Sequence, residues 1–305
     1  MKNINNINNI NQDKQIRITS LNGNSMKLDG GAMFGNAPKA LWQKWMAPDE
    51  LNMIDIGSRS LLIETRDHKI LFETGVGAYL SPVMKKRFSV IEDNHILLQS
   101  LKEQGLDHKD ITHIILSHLH FDHAGGLLKA WQKDNSALEL LFPNAQFIAG
   151  KLNFERSGKP HIRDRASFIP ELNALFLDSN RLILKKDGDK ISLGDIHIEF
   201  FESHGHTPGM MVSCINIHDL QIIFMADLIP GLPWVNLPIT MGYDRNPELL
   251  IDEKQIILKR AYESDAFLFY THDPMFAASK IKMDKKTKRY IPDNPEDVFQ
   301  RTLDS

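Results

Sequence analysis

The chain has 305 residues, of which 42% are hydrophobic, 25% charged and 8% aromatic, and its formal net charge is -3. This composition is ordinary for a globular protein and excludes collagen-like, low-complexity and strongly disordered classes. The charge gives no overall attraction for phosphate backbones, and the sequence has no apolar run near the roughly 20 residues of a membrane span. We therefore expect neither a nucleic-acid partner nor a membrane partner.

Both ends of the chain are predicted to lie outside the folded domain. The N-terminal repeat of Asn-Asn-Ile lacks the apolar core of a secretory signal, and Cys214, the single cysteine, cannot form an internal disulfide. We interpret residues 1–20 as a disordered leader, 21–285 as one folded domain and 286–305 as a C-terminal tail. The interpretation predicts a cytoplasmic protein. Its oligomeric state is left open, with a homodimer as one option.

Short apolar runs separated by turn residues predict a protein rich in β-strands. Residues 61–64 and 70–72 flank five polar residues, which is typical of a β-hairpin, and residues 111–116 predict a buried strand. The second half repeats this pattern, with strands predicted at 182–184, 196–201, 210–217, 221–225 and 267–270.

Helices are predicted between these strands. Apolar residues within 91–101 lie mostly on one helical face, and a further helix is expected from Gly126 to Trp131. The best-marked helix covers residues 247–262, because Asn246 can cap it and Pro247 suits its first position. Its predicted apolar stripe consists of Leu249, Leu250, Ile256, Ile257 and Ala261.

Histidine and aspartate residues occur where the predicted strands end. Four of them follow the strand at 111–116, and three more follow later strands. A rigid sheet can direct such short side chains into a common cleft, while the loops remain free to shape a substrate pocket. The candidates are His118, His120, Asp122, His123, His206, Asp227 and His272.

Imidazole and carboxylate groups are ligands that suit Zn²⁺, and seven of them exceed the four of a closed structural zinc site. The surplus predicts two divalent ions about 3.5 to 4 Å apart that share a carboxylate and a hydroxide, which is a strong nucleophile at neutral pH. Zinc is the expected metal, although Mn²⁺ or Fe²⁺ could also bind. The assignment gives His118, His120 and His206 to the first metal, Asp122, His123 and His272 to the second, and Asp227 to both.

The pattern His118-x-His120-x-Asp122-His123, followed by the three later ligands, resembles the metallo-β-lactamase superfamily. The resemblance runs through most of residues 25–280. It implies an α/β (α+β) fold, an αββα sandwich of two mixed β-sheets flanked by helices, with a dinuclear metal site at one edge.

A narrower resemblance is to quorum-quenching lactonases of the YtnP type. The similar segments are residues 28–35, 118–126, 225–230 and 242–244. The resemblance implies a metal-dependent hydrolase of N-acyl-homoserine-lactone-type substrates, in which a metal-bridging hydroxide attacks the ester carbonyl.

The sequence departs from the family pattern at three positions. Glu73 stands where the superfamily usually has Asp, so a carboxylate beside the metal site is longer by one methylene. Pro230 stands where better-known homoserine lactonases place a tyrosine, and Tyr243 is the nearest replacement. Asp227 stands where class B1 β-lactamases use a cysteine ligand, which argues against a true β-lactamase.

Two further assignments concern catalysis and substrate binding. Asp122, with Tyr243, is the candidate for proton transfer to the leaving group. Several apolar residues outside the predicted strands could line a pocket for an acyl chain or belong to the core, and the sequence leaves both open. They are Met33, Phe34, Trp42 and Trp234, with Trp45 and Met241.

Other functions are compatible with the same ligand pattern. Within the superfamily they are a thioesterase of the glyoxalase II type, a phosphotriesterase, and a phosphodiesterase or RNase. A phosphodiesterase or RNase would need a basic substrate face or an RNA-binding arm, and neither is evident in the sequence. A di-iron redox enzyme would normally carry an appended flavin domain, for which the sequence leaves no room. A non-catalytic metal-binding module is the structural alternative, and the complete ligand set argues against it.

Overall fold

A computed structural model describes residues 15–133 and 137–304. These residues form two seven-stranded β-sheets, a small two-stranded sheet and flanking helices. The αββα sandwich predicted from the sequence is therefore confirmed.

The strands alternate with helices along the chain. In chain order the strands are β1 (Gln15–Asn22), β2 (Met26–Asp29), β3 (Met53–Ile56), β4 (Arg59–Glu64), β5 (Lys69–Phe72), β6 (His113–Ile115), β7 (Gln146–Gly150), β8 (Leu182–Lys185), β9 (Lys190–Leu193), β10 (Ile196–Ser203), β11 (Met210–Ile217), β12 (Leu220–Phe224), β13 (Phe267–Phe269), β14 (Ala278–Met283), β15 (Tyr290–Glu296) and β16 (Gln300–Asp304).

The helices are short, apart from the last. They are α1 (Gly30–Phe34), α2 (Lys39–Trp42), α3 (Pro82–Arg87), α4 (Ile96–Glu103), α5 (Phe121–Ala124), α6 (Lys151–Gly158), α7 (Leu172–Ser179) and α8 (Pro247–Glu263). Single 3-10 turns lie at Gly125–Leu127, Arg165–Ser167, Ala226–Leu228 and Leu232–Val235. Among the helices of the described residues, none is both long enough and apolar enough to cross a bilayer.

Both large sheets are mixed. The first has the order β16-β1-β4-β5-β6-β7-β8, with β5 to β8 parallel to one another. The second has the order β15-β14-β13-β12-β11-β10-β9, with β12 and β13 parallel. Apolar side chains from both sheets meet in the core, where the rings of Phe72 on β5 and Phe224 on β12 are 5.5 Å apart.

Parallel neighbours place their carboxyl ends at one edge of a sheet. The residues after β5 and β6 therefore emerge side by side, as do the residues after β12 and β13. Strand β10 runs in the same direction as β12, because each is antiparallel to β11 between them. All the loops that carry the predicted metal ligands consequently start at matching strand ends.

The predicted boundaries of the folded domain are wrong at both ends. Strand β1 begins at Gln15 and pairs with β16 and β4, so the sheet includes residues 15–20 of the predicted leader. Strands β15 and β16 occupy most of the predicted tail. Strands β15 and β16 lie at the edges of their sheets, and β1 pairs with β16. The partly exposed residues of β15 and β16 lack the continuous apolar run that marks a buried strand. Residues 1–14 of the predicted leader lie outside the described residues.

Most predicted elements between these ends are present, with one clear error. The hairpin of β4 and β5 is confirmed, as is α8, while α4 starts at Ile96 rather than at 91. The helix predicted from Gly126 to Trp131 is absent, since the 3-10 turn ends at Leu127. The backbone of Thr74 approaches Gly126 to within 2.0 Å of where a Cβ would lie, so this segment follows the neighbouring loop.

Helix α8 differs from its prediction in detail. Asn246 makes no side-chain cap, and its amide instead donates to the His204 carbonyl. Leu249 and Ile256 of the predicted apolar stripe are exposed, whereas two charged residues, Glu253 and Lys254, are buried.

Four apolar residues for which the sequence leaves a pocket and a core position open are buried in the core, namely Met33, Phe34, Trp42 and Trp234. Phe34 stacks between Trp42 and Trp234, with ring centroids 5.4 and 4.6 Å away and both rings tilted by only 7°. The indole of Trp234 also donates to the Met33 carbonyl at 3.0 Å. All four side chains are at most 2% exposed, so they fill space between elements and do not line an open pocket.

The core position of Phe34 predicts that Phe34→Ala destabilises the fold. Removing a stacked and fully buried phenylalanine should lower the free energy of unfolding by about 3–5 kcal/mol, because a cavity remains between the two indoles. Urea denaturation followed by tryptophan fluorescence would measure it. Leu51→Ala is the control, since Leu51 is 81% exposed. A Phe34→Ala variant as stable as this control would contradict the core assignment.

A second prediction concerns the single thiol. Cys214 lies buried on β11, as expected from its apolar run, and burial raises its pKa to about 11. The thiolate is the reactive form, so the native protein should resist iodoacetamide at pH 8, and the unfolded protein should be alkylated completely. Mass spectrometry would count the adducts, with glutathione as the reactive control. Alkylation of the native protein at the glutathione rate would contradict the buried position.

Candidate metal centre

The loop after β6 carries four of the seven predicted ligands. Strand β6 ends at Ile115, and the chain passes through Ser117 into α5, a single helical turn. His118 and His120 are two residues apart in extended backbone, so their side chains point to the same side. Asp122 and His123 follow in the helical turn and face the same space. The side chains are His118, His120, Asp122 and His123.

A first group of three histidines converges within this space. Nε2 of His118 lies 3.0 Å from Nδ1 of His120, and that Nδ1 lies 3.3 Å from Nε2 of His206. His206 comes from the loop after β10, on the other sheet. The three ring nitrogens all lie within 4.8 Å of one another, which is suitable for one metal ion.

A second group lies beside the first. Nε2 of His123 is 3.1 Å from Nε2 of His272, which follows β13. The carboxylate oxygen Oδ2 of Asp122 is 3.7 Å from the His272 nitrogen and 3.9 Å from the His123 nitrogen. These three residues form a second set of potential ligands.

Asp227 lies between the two groups. Its Oδ2 is 3.1 Å from Nε2 of His206 and 3.9 Å from Nε2 of His118. Its Oδ1 is 3.3 Å from Nε2 of His123 and 3.2 Å from Nε2 of His272. One carboxylate oxygen therefore faces each group, and all seven predicted residues come together.

The donor set fits cations. Oδ1 of Asp227 is buried and has no hydrogen-bond partner. Burial opposes the charge of this carboxylate, yet His123, His272 and His206 hold its pKa well below the usual range. Burial lowers the pKa of His118 and of His120, which keeps both imidazoles in the neutral form that binds metals.

Most of the histidines are oriented through their second ring nitrogen. Such partners fix the tautomer and direct the other nitrogen to the metal. The Nδ1 contacts are His118 with Ser117 Oγ at 2.9 Å, His123 with Glu73 Oε2 at 3.1 Å, His206 with Asp244 Oδ1 at 2.9 Å, and His272 with the Gly57 carbonyl at 2.7 Å.

Glu73 supports two parts of the ligand loop at once. Its Oε1 accepts a hydrogen bond from the Ser117 backbone at 2.6 Å, while Oε2 contacts His123. The side chain is fully buried and its backbone has a φ of 65°, in the left-handed region. The longer side chain that departs from the family pattern therefore still reaches the histidine.

Two tyrosines lie within electrostatic reach of Asp122. Burial and the Asp122 charge raise the pKa of Tyr243, which is 43% exposed. The same two causes raise the pKa of Tyr79, which the sequence analysis did not select. Tyr79 packs against Gly125, where a Cβ would lie 2.6 Å from the ring. A catalytic role for Tyr243 stays a prediction.

Other polar residues that the sequence analysis left unassigned support the loops. The ring of His204 accepts from the Gly209 backbone at 3.1 Å and is outside both ligand groups. His95 is buried and contacts the Gly126 carbonyl at 2.9 Å. Asp244 received no role from the sequence, because its histidine partner is 38 residues away.

Two curated relatives are similar in sequence to about half of this chain. A curated N-acyl homoserine lactonase from a Bacillus species is 25% identical over 176 residues, which cover 54% of this chain and 59% of the relative. The human acyl-coenzyme A thioesterase MBLAC2 is 24% identical over 179 residues, covering 55% and 57%. The chain thus spans less than two thirds of the length of these relatives.

Solved structures and the family comparison extend over more of the chain. The crystal structure of a probable metal-dependent hydrolase from Staphylococcus aureus has a TM-score of 0.79 and 28% identity, covering 92% of this chain and 97% of the other. Residues 54–272, more than half of the sequence, match the metallo-β-lactamase family description. With its sandwich fold and converging ligand set, the chain belongs to the metallo-β-lactamase superfamily.

Proposed function

We propose that this protein is a dinuclear metal-dependent hydrolase that opens a lactone of the N-acyl-homoserine-lactone type. The observation that carries the proposal is the position of Asp227, which presents one carboxylate oxygen to each of two ligand groups. A single structural zinc would need only one closed set of four ligands. A bridged pair is the arrangement that hydrolytic two-metal sites use.

Two divalent ions, with zinc favoured by the ligand types, would polarise the ester carbonyl and lower the pKa of water. The first would be held by His118, His120 and His206, the second by Asp122, His123 and His272, with Asp227 shared. Glu73 and Asp244 hold two of these imidazoles in the required orientation.

Asp122 is the proposed proton carrier. Its side chain is 15% exposed, against 7% for Asp227, so it is the carboxylate of the cluster that is more open to a substrate. During hydrolysis the attacking water loses a proton and the ring C–O bond breaks, which leaves an alkoxide that must gain one. Asp122 would take the first proton and deliver it to the alkoxide.

Tyr243 would assist as a hydrogen-bond donor. A tyrosine phenol is ordinarily protonated at neutral pH, burial raises the pKa of Tyr243 further, and 43% of the residue is exposed. A protonated phenol can stabilise negative charge on a substrate oxygen. In this chain Pro230 takes the place of the tyrosine that better-known homoserine lactonases have three residues after the shared aspartate. Tyr243 would fill the role of that tyrosine.

A thioesterase is the second candidate, because the chain is as similar to an acyl-coenzyme A thioesterase as to a homoserine lactonase. Both reactions transfer an acyl group to water, and the cluster serves either. The lactone is favoured by the resemblance of residues 28–35 and 225–230 to quorum-quenching lactonases.

The substrate class is testable with a hydrolase panel. We expect zinc-, manganese- or iron-loaded protein to open long-chain N-acyl-homoserine lactones faster than it cleaves acyl-coenzyme A thioesters, β-lactams or phosphotriesters. Exhaustive chelation should abolish turnover, and metal addition should restore it. Higher activity on the thioester would favour the second candidate. Undiminished turnover after chelation would reject a metal-dependent hydrolase.

The bridging role of Asp227 gives a separate prediction. Asp227→Asn should lower bound metal below two ions per chain and reduce turnover at least ~100-fold, since metal-ion catalysis supplies several kcal/mol and each ~1.4 kcal/mol is a factor of ten. Elemental analysis and initial rates would measure both. Asp219→Asn is the control, because Asp219 is exposed and outside the ligand groups. Full turnover with fewer than two metals in Asp227→Asn would contradict a bridged pair.

A further inference from the structure

Helix α8 packs beneath two loops that meet at the first ligand group. The His206 loop (residues 203–206) carries the ligand, and the Asp244 loop (residues 236–244) carries its partner. Asp244 joins them, since its Oδ1 contacts Nδ1 of His206 at 2.9 Å and its Oδ2 accepts from the Met241 backbone at 2.6 Å. The orientation of His206 therefore depends on both loops.

Glu253 of α8 anchors the His206 loop. Its Oε2 accepts from the Ser203 hydroxyl at 2.6 Å and from the Gly205 backbone at 3.1 Å, while Oε1 accepts from the His204 backbone at 2.7 Å. The carboxylate is only 5% exposed, so these bonds are its compensation for burial. All three donors lie within the three residues before His206.

Lys254, the next residue, anchors the Asp244 loop. Its Nζ donates to the carbonyls of Asn236 at 3.1 Å, Leu237 at 3.2 Å and Ile239 at 2.8 Å. The side chain is fully buried, and burial lowers its pKa to about 7. These carbonyls lie outside helices and strands, so the lysine supplies donors that no regular secondary structure provides there.

The contact between α8 and the His206 loop is as close as two backbones allow. A Cβ on Gly205 would lie 2.5 Å from Cα of Leu250 and 2.7 Å from its backbone nitrogen. The backbone of the helix therefore limits how closely the His206 loop can approach. Glu253, one turn after Leu250, holds the loop in that position.

The second ligand group is held by other elements. His123 contacts Glu73 after β5, and His272 contacts the Gly57 carbonyl. The buried guanidinium of Arg59 also donates to the carbonyls of Asp273 and Phe276, beside His272. The side-chain bonds of Glu253 and Lys254 thus reach the loops of the first group, whereas these bonds of the second group come from other elements.

We propose that Glu253 and Lys254 are positioning residues that hold His206 and Asp244 together and so set the affinity of the first metal site. The inference rests on the proposed role of His206 as a metal ligand. It assigns a function in the centre to two charged residues that touch neither ligand group directly.

The test measures metal affinity rather than turnover. Full-length Glu253→Gln and Lys254→Met proteins, loaded with zinc, would be dialysed against a graded series of competing chelator and analysed for bound zinc. We expect one of the two ions to bind up to about 10-fold more weakly, the lower end of the range for losing a direct partner of a metal-binding histidine, while the other is unchanged. Glu263→Gln and Lys259→Met, on the exposed face of α8, are the matched controls.

A merely structural role would weaken both ions alike in proportion to lost stability, or neither, and either result would overturn the inference. Glu253→Gln keeps the packed volume, so it decides alone if Lys254→Met does not fold. A wild-type chain that binds fewer than two zinc ions would reject the proposed function and this inference with it. Two ions in the wild type and unaltered binding in the variants would reject only the inference.

Discussion

A buried carboxylate must be compensated by positive charge or by hydrogen-bond donors, and Asp227 sets this condition for the whole centre. Its two oxygens face two groups of histidine nitrogens, and Oδ1 has no hydrogen-bond partner. Taking such a group out of water is costly unless a cation is present. Three loops bring metal-binding nitrogen and oxygen atoms around this one side chain. They follow strands β6, β10 and β13.

The ligands could be predicted from the sequence because they follow strands that are easy to recognise. Central strands such as β6 and β12 are buried and read as short apolar runs, so the residues at their ends could be located. Edge strands β15 and β16 expose part of their residues, and β16 pairs with β1 at the other end of the chain. The pairing of β16 is long-range and so is absent from any local pattern, and β15 lacks the buried apolar run by which a strand is recognised.

Most residues that hold the metal ligands in place could not be predicted from the sequence, for a related reason. Asp244 lies 38 residues from His206, and Glu253 lies 50 residues from its Ser203 partner, whereas Glu73 is expected beside the site from the family resemblance. Periodicity predicts that charged residues of a helix face solvent, and it assigned Ile256 to the buried side of α8. Glu253 and Lys254 are buried because polar groups of two loops need partners there, and those loops are known only once the chain has folded. The sequence likewise leaves open whether the aromatic residues around Phe34 form a core or a pocket, since aromatic composition does not distinguish the two.

The two ligand groups differ in what holds them. His123 and His272 depend on Glu73, Gly57 and the buried Arg59, which lie at or beside strands of the first sheet. His206 depends on two loops that rest on a helix outside the sheets. Strands with continuous ladders are the more rigid support, whereas loops fixed by side-chain bonds can shift when one bond is lost. Asp227 joins the two groups, so the centre combines one half that is supported by strands with one half that is supported by loops.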